Sequence, residues 1–197
     1  MVKIAAIIVA SGISRRFGSD KLMYNLNGKH MINYILQSVS EAKFNQRLLI
    51  VNNREKFSNL AGKCVQIFEN ENYINGMSSS IITGIHELNS DIEGAMVIPA
   101  DMPFIDYKIL NYMMDIFADC NCGIVGIMQG DIIMSPMIFR RKYFKDLLEL
   151  RGDHGGKKIV EKNIDDFIGI NIDKKFLLDI DTIQDLNKIG HDDKLPD

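Results

Sequence analysis

Ile4-Ala-Ala-Ile-Ile-Val-Ala-Ser-Gly-Ile-Ser-Arg-Arg-Phe-Gly-Ser-Asp-Lys21 opens with an unbroken apolar run and ends in a loop carrying glycines and cations. The run Ile4–Ala10 is short and does not alternate. It therefore predicts a strand covered on both faces, as strands of parallel sheets are. Downstream, short apolar runs take turns with helix-period segments. Strands are expected at Arg47–Val51, Val65–Phe68, Ala95–Ile98 (stopped by Pro99) and Ile124–Met128. Helices are expected at Met31–Ala42, with Ile32, Ile35, Leu36 and Val39 on one face, at Met77–Leu88 and at Tyr107–Phe117. This β-α-β alternation predicts an α/β fold, a mostly parallel central sheet with helices on both faces. Later, Pro136–Phe139 and Phe167–Ile172 read as strands flanking two short helices, and Thr182–Ile189 as a last helix capped by Thr182 with Asp185 three residues on.

The 197 residues suit one domain, taken as 1–190 with a polar tail at 191–197. Apolar residues at 46% and charged residues at 25% are those of an ordinary globular chain. A net charge of −3 without a basic block argues against nucleic acid as a partner. No run approaches the ~18–20 apolar residues of a membrane span, and Ile4–Ala10 is too short for a secretory leader, so no membrane partner and a cytoplasmic location are expected. Cys64, Cys120 and Cys122 are an odd, sparse set that argues against a disulfide scaffold. Cys120-Asn-Cys122 is tighter than a zinc knuckle and has no histidine nearby in sequence, so free thiols are expected there.

In an open parallel sheet, ligands bind beyond the carboxyl ends of the strands, where the loop after Ala10 begins. Ala10, Ser11 and Gly12 are small enough for the backbone to approach a phosphate and offer amide donors, while Arg15, Arg16 and Lys21 add charge. The spacing fits neither G-x-x-x-x-G-K-[ST] nor G-x-G-x-x-G. A second point of interest is Ala95-Met-Val-Ile-Pro-Ala-Asp-Met-Pro103, which ends a strand in a carboxylate. Asp101 there suits Mg²⁺, which takes one or two carboxylates plus phosphate oxygens and water. Asp101 equally reads as a turn residue. Asp179-Ile-Asp181 puts two carboxylates on one strand face, and Asp181 reads either as a metal anchor or as an acid stabilising the next helix's dipole.

The first loop resembles the L-A-[AG]-G-x-S-x-R-M-G-x-x-K signature of the MobA-like NTP transferases. Gly12, Ser14, Arg16, Gly18 and Lys21 match, Phe17 stands for methionine and Ser11 for alanine or glycine. Asp101 lies in a segment similar to P-[AGC]-D-M-P, Asp181 in one similar to D-I-D-T-x-x-D-L, and Gly76, Met77 and Ser80 in one similar to G-M-x-x-S. The resemblance implies a Rossmann-like three-layer sandwich of the nucleotide-diphospho-sugar transferase type. It implies that Ala10, Ser11, Gly12, Ser14, Arg16, Gly18, Lys21, Gly76, Met77 and Ser80 bind the nucleotide. Lys21, Arg16 and Asp101 would carry catalysis, with Mg²⁺ on Asp101 and Asp181.

Ser135-Pro136 is similar to the family's [HS]-P strand on the acceptor side, although Met134 replaces the usual glycine. Leu150-Arg-Gly-Asp-His-Gly-Gly-Lys157 resembles the L-x-G-D-x-G-x-R segment of the molybdopterin cytidylyltransferase branch, with Lys157 in place of arginine. These matches assign Ser135, Pro136, Gly152, Asp153 and Lys157 to the acceptor. The reaction so implied moves CMP from CTP to molybdopterin and releases pyrophosphate, for delivery to a molybdenum hydroxylase apo-enzyme. The alternatives are a guanylyltransferase, a sugar- or polyol-phosphate nucleotidyltransferase, and a non-catalytic protein that carries the cofactor.

Overall fold

The buried runs assemble into a seven-stranded sheet. A computed structural model describes residues 2–12, 17, 20–153, 155–178 and 180. The strands are β1 (Ile4–Ala10), β2 (Asn25–Leu26), β3 (Lys29–His30), β4 (Gln46–Val51), β5 (Gln66–Glu69), β6 (Gly94–Pro99), β7 (Ile124–Gln129), β8 (Ile132–Arg140) and β9 (Phe167–Ile170). The helices are α1 (Met31–Glu41), α2 (Arg54–Phe57), α3 (Met77–His86), α4 (Tyr107–Asp119), α5 (Phe144–Leu148) and α6 (Lys157–Lys162). The sheet order is β5-β4-β1-β6-β8-β7-β9, and β2 and β3 form a separate hairpin. Within the sheet, β8 alone runs against its neighbours. The mostly parallel α/β sheet expected from the sequence is therefore present.

Alternation along β1 explains the three layers, since successive side chains of a strand point to opposite faces. Ile4, Ala6, Ile8 and Ala10 join a core with Ile32, Ile35 and Val39 of α1 and Leu110, Met113 and Phe117 of α4. Ile7 faces the other way and packs with Ile81 and Ile85 of α3, Leu147 of α5 and Val160 of α6. The packing of α3 on β1 is close: a β-carbon at Gly84 would lie 2.4 Å from Cγ2 of Ile7. Helix starts follow local chemistry. The Asp106 carboxylate accepts from the Ile109 amide at 2.9 Å to cap α4, and the Asn53 side chain accepts from the Lys56 amide to cap α2.

Two expectations change, and one element is new. The strand read at Pro136–Phe139 starts at Ile132 and forms a hairpin with β7. Its first residues carry no strand signal in sequence, because a proline in a strand is tolerated only at an edge or bulge. The register shift between Gly126 and Ile127 takes Met137 and Met134 as successive partners, which leaves Ser135 and Pro136 in a bulge, where a sheet tolerates proline. The Ser135–Pro136 peptide is cis. Cys120 and Cys122, expected as free thiols, are bonded to each other, while Cys64 is free and exposed. The β2–β3 hairpin was not anticipated, although Asn27 and Gly28 at its tip both have positive φ, the arrangement of an Asn-Gly type I′ turn. The helix expected at Thr182–Ile189 and the tail lie outside the described residues. No helix among the described residues is long and apolar enough to cross a membrane.

Candidate functional site

From β1 the chain crosses to β4 on one side, while β6 pairs with β1 on the other. The carboxyl ends of β1 and β6 thus flank a topological switch point, the usual place for a ligand crevice in an open α/β sheet. The antiparallel β8 follows β6 only as far as Val97↔Met137, so the last residues of β6 have no ladder partner on that side.

Lys21 and Asp101 meet at this point. The Lys21 Nζ donates to Asp101 Oδ2 at 2.8 Å, joining the loop after β1 to the end of β6. The lysine side chain is 8% exposed and the aspartate 31%, so the cation is enclosed and the carboxylate retains an open side. The lysine's place is set by its neighbour. Asp20 Oδ1 accepts from the Leu22 amide at 3.1 Å, starting a single 3₁₀ turn over Lys21–Met23. The other oxygen of Asp20 pairs with Lys56, whose pKa burial pushes below its ordinary value. Phe17 anchors the middle of the loop. It is buried with Leu26, Met31, Phe104 and Ile180, and meets Tyr24 edge-on at 5.5 Å. The Ile180 amide donates to the Asp101 carbonyl at 3.4 Å, bringing the chain back to the end of β6.

A second group of predicted residues is tied to the first by hydroxyls. Ser11, at the exit of β1, shares a short hydrogen bond with Ser80 of α3. Asn70, just beyond β5, donates from Nδ2 to Ser79 Oγ at 2.8 Å and to Ser80 Oγ at 3.0 Å. The side chains of Ser11, Asn70 and Ser80 are all buried. Ser80 was expected to touch a ligand; its hydroxyl is instead engaged inside the protein. Asn70 was missed in the sequence, since beyond its local turn with Asn72 and Tyr73 its partners are Val51, Ser79 and Ser80, which no local pattern announces.

The nucleotide and acceptor motifs, far apart in sequence, touch. Gly76 has φ 91 and ψ −175, a conformation open essentially to glycine. A β-carbon there would lie 2.4 Å from Asp153 Oδ1 and 2.6 Å from the Gly152 carbonyl carbon. The Ser78 amide donates to the Gly152 carbonyl at 3.1 Å, and the Ser79 amide to the Gly76 carbonyl at 3.2 Å. These two first-turn amides of α3 are therefore already engaged within the protein. Gly155 sits against Met77. No hydrogen bond or ion pair among the described residues joins Ser135, Pro136 or Lys157 to the Lys21–Asp101 pair. Ser14, Arg16, Gly18 and Asp181 lie outside the described residues.

A divalent cation fits the donor chemistry. Asp101 supplies a hard, partly open carboxylate, and no cluster of three or more potential protein ligands occurs among the described residues. A carboxylate of that kind suits a hard divalent cation, which completes its shell with phosphates and water.

The MobA-like NTP transferase domain matches residues 6–167. A protein of Natranaerobius thermophilus named as a probable molybdenum cofactor guanylyltransferase is 31% identical over 112 residues, covering 56% of this chain and 53% of that protein. One of Thermococcus sibiricus with the same name is 25% identical over 144 residues, covering 73% of this chain and 70% of that protein. The chain thus spans about half the length of the first of these relatives. Among solved structures, Rv0371c from Mycobacterium tuberculosis H37Rv superposes with a TM-score of 0.82 at 20% identity, covering 95% of this chain and 97% of that one. The same mycobacterial protein has been solved in complex with manganese.

Proposed function

We propose, for a chain that belongs to the MobA-like NTP transferase domain family, that it transfers the nucleoside monophosphate of an NTP to a phosphorylated acceptor and releases pyrophosphate. The observation that carries this reading is the Lys21–Asp101 contact at 2.8 Å across the switch point. It sets an enclosed cation and a metal-competent carboxylate side by side where phosphates would lie. GTP is the donor favoured by the names of the relatives, and molybdopterin the acceptor. CTP, expected from Ser11 and the Gly152-Asp153 segment, is the second reading. Ser11 keeps it in play, because it places a side chain at the mouth of the loop where a bare backbone would admit a larger base.

Nucleotidyl transfer asks for positioning and charge neutralisation rather than covalent chemistry. The amides from Ser11 onward bind the triphosphate. Lys21 leaves its contact with Asp101 and stabilises charge at the α-phosphate, with Arg16 acting on the pyrophosphate. Asp101, joined by Asp181, would hold Mg²⁺, which would supply Lewis-acid polarisation of the phosphates. No side chain need act as base, because an acceptor phosphate is already ionised at neutral pH. Gly152 and Asp153, on the loop that caps α3, would contact the acceptor, with Ser135, Pro136 and Lys157 as its further ligands. A molybdenum hydroxylase apo-enzyme is the proposed recipient of the product, and the cytoplasm the proposed location.

The test is to incubate the protein with each of the four NTPs, Mg²⁺ and molybdopterin, and to measure pyrophosphate. Release with GTP supports the first reading and release with CTP the second. Release only with a sugar or polyol phosphate would reassign the acceptor, and tight cofactor binding without release from any NTP would make the protein a carrier.

A further inference from the structure

The hydroxyl network around Asn70 has a direction that can be worked out atom by atom. A backbone N–H only donates and a carbonyl only accepts. The Asn72 amide points at Asn70 Oδ1 at 3.0 Å, which fixes that atom as the oxygen and turns Nδ2 toward the serines. Nδ2 has two hydrogens, and Ser79 and Ser80 each take one. Ser79 then donates its own proton to the Gly76 carbonyl at 2.8 Å. Ser80 is fully buried, and Ser11 is the other partner of its hydroxyl. If Ser11 were the donor in that pair, the Ser80 proton would be buried at 0% exposure without an acceptor, whereas Ser11 lies beside the exposed Gly12, where its proton can meet a ligand. The low-cost arrangement has Ser80 donating to Ser11. The Ser11 oxygen is then filled from behind, and its own proton must find an acceptor at the mouth of the loop.

We infer that Asn70 is a positioning residue that polarises the chain Asn70→Ser80→Ser11, so that the Ser11 hydroxyl presents a hydrogen-bond donor to an acceptor oxygen of the bound nucleotide. The inference rests on the nucleotide-binding reading above and adds a contact that a small aliphatic residue at position 11 cannot make. Asn70 touches no ligand. It acts by fixing which way two hydroxyls point, and the geometry that does so is complete before any ligand arrives.

The experiment is a double-mutant cycle on Mg²⁺-nucleotide affinity, measured by calorimetry with GTP and with CTP in the full chain. Ser11→Ala, which removes the donor, weakens binding about tenfold, and Ser80→Ala weakens it by less, because the Ser11 hydroxyl loses the bond that holds its rotamer but gains no inner acceptor. The double variant is no weaker than Ser11→Ala alone, because both act through one proton. Asn70→Asp, which replaces two donated protons with acceptors, follows the same rule: it costs about tenfold in the wild-type background and less than twofold when Ser11 is already alanine. Circular dichroism and thermal melts show each variant folded. Additive losses, or an Asn70→Asp effect undiminished by Ser11→Ala, overturn the relay while leaving nucleotide binding intact. Failure of the wild-type protein to bind either nucleotide overturns the functional reading as well.

Discussion

Replacing Gly76 with alanine tests whether the loop at Gly152-Asp153 is seated on the start of α3 as described. Two costs are expected. The first is conformational: φ 91 with ψ −175 lies in a region that costs a residue with a β-carbon about 1–3 kcal/mol. The second is steric. The new methyl would sit 2.6 Å from the Gly152 carbonyl carbon and 2.7 Å from its oxygen, both backbone atoms that cannot swing aside alone. The loop must retreat, and the Ser78–Gly152 hydrogen bond goes with it, a further loss of about 1 kcal/mol. The total is about 3 kcal/mol, equivalent in a chain of this size to a Tm lower by roughly 6–12 °C. Urea unfolding supplies the free energy, and hydrogen exchange of the segment 150–156 reports whether the loop has lifted. Gly12→Ala is the internal control. It has nothing within 4 Å of its added carbon, so stability should stay within about 0.5 kcal/mol while nucleotide affinity falls. A Gly76→Ala protein with unchanged Tm and unchanged exchange at 150–156 would refute the packing argument.

Two other substitutions are expected to have defined effects. Gly84→Ala drives a methyl into Ile7 and should cost about 1–3 kcal/mol in urea unfolding; Ile7→Ala in the same chain should be less damaging than in the wild type, since it removes the obstructing atom. Asp166→Asn should alter both ends of the pH–stability curve. Lys142 and then Tyr143 hold the Asp166 carboxyl below its ordinary value, so its contribution is present above the unfolded-state pKa and is lost as pH falls through the folded one. Burial first, and Asp166 second, push the Tyr143 phenol up to about 12, so that stability is present below about pH 10 and lost as pH rises toward 12. The variant should show a shallower acid limb, and in phenolate absorbance a Tyr143 that titrates lower than in the wild type. A wild-type-like acid limb would contradict the assignment.

The parallel part of the sheet was legible because its strands are continuous apolar runs, and α1, α3 and α4 because their apolar residues recur at helical spacing. What escaped reading depends on partners distant in sequence. The length and direction of β8 follow from a bulge that its neighbour β7 accommodates at Gly126/Ile127, and a lone Ser135-Pro136 gives no sign of it. Asn70 has significance only once β5 and α3 are brought together. The sequence placed Lys21 and Asp101 at two strand ends, but their direct contact is a property of strand order, β1 beside β6. Conversely, the Asn27-Gly28 turn was present in the sequence and was passed over because the strands it joins are two residues each.

The claim on which the rest stands is that an NTP binds between Lys21 and a divalent cation on Asp101. Titration of GTP into the wild-type protein and into Asp101→Asn, each with Mg²⁺ and with EDTA, addresses it directly. The account predicts that Mg²⁺ strengthens binding at least tenfold in the wild type and that this gain disappears in the variant. An affinity independent of Mg²⁺ in the wild type, or a metal gain that survives Asp101→Asn, would contradict it.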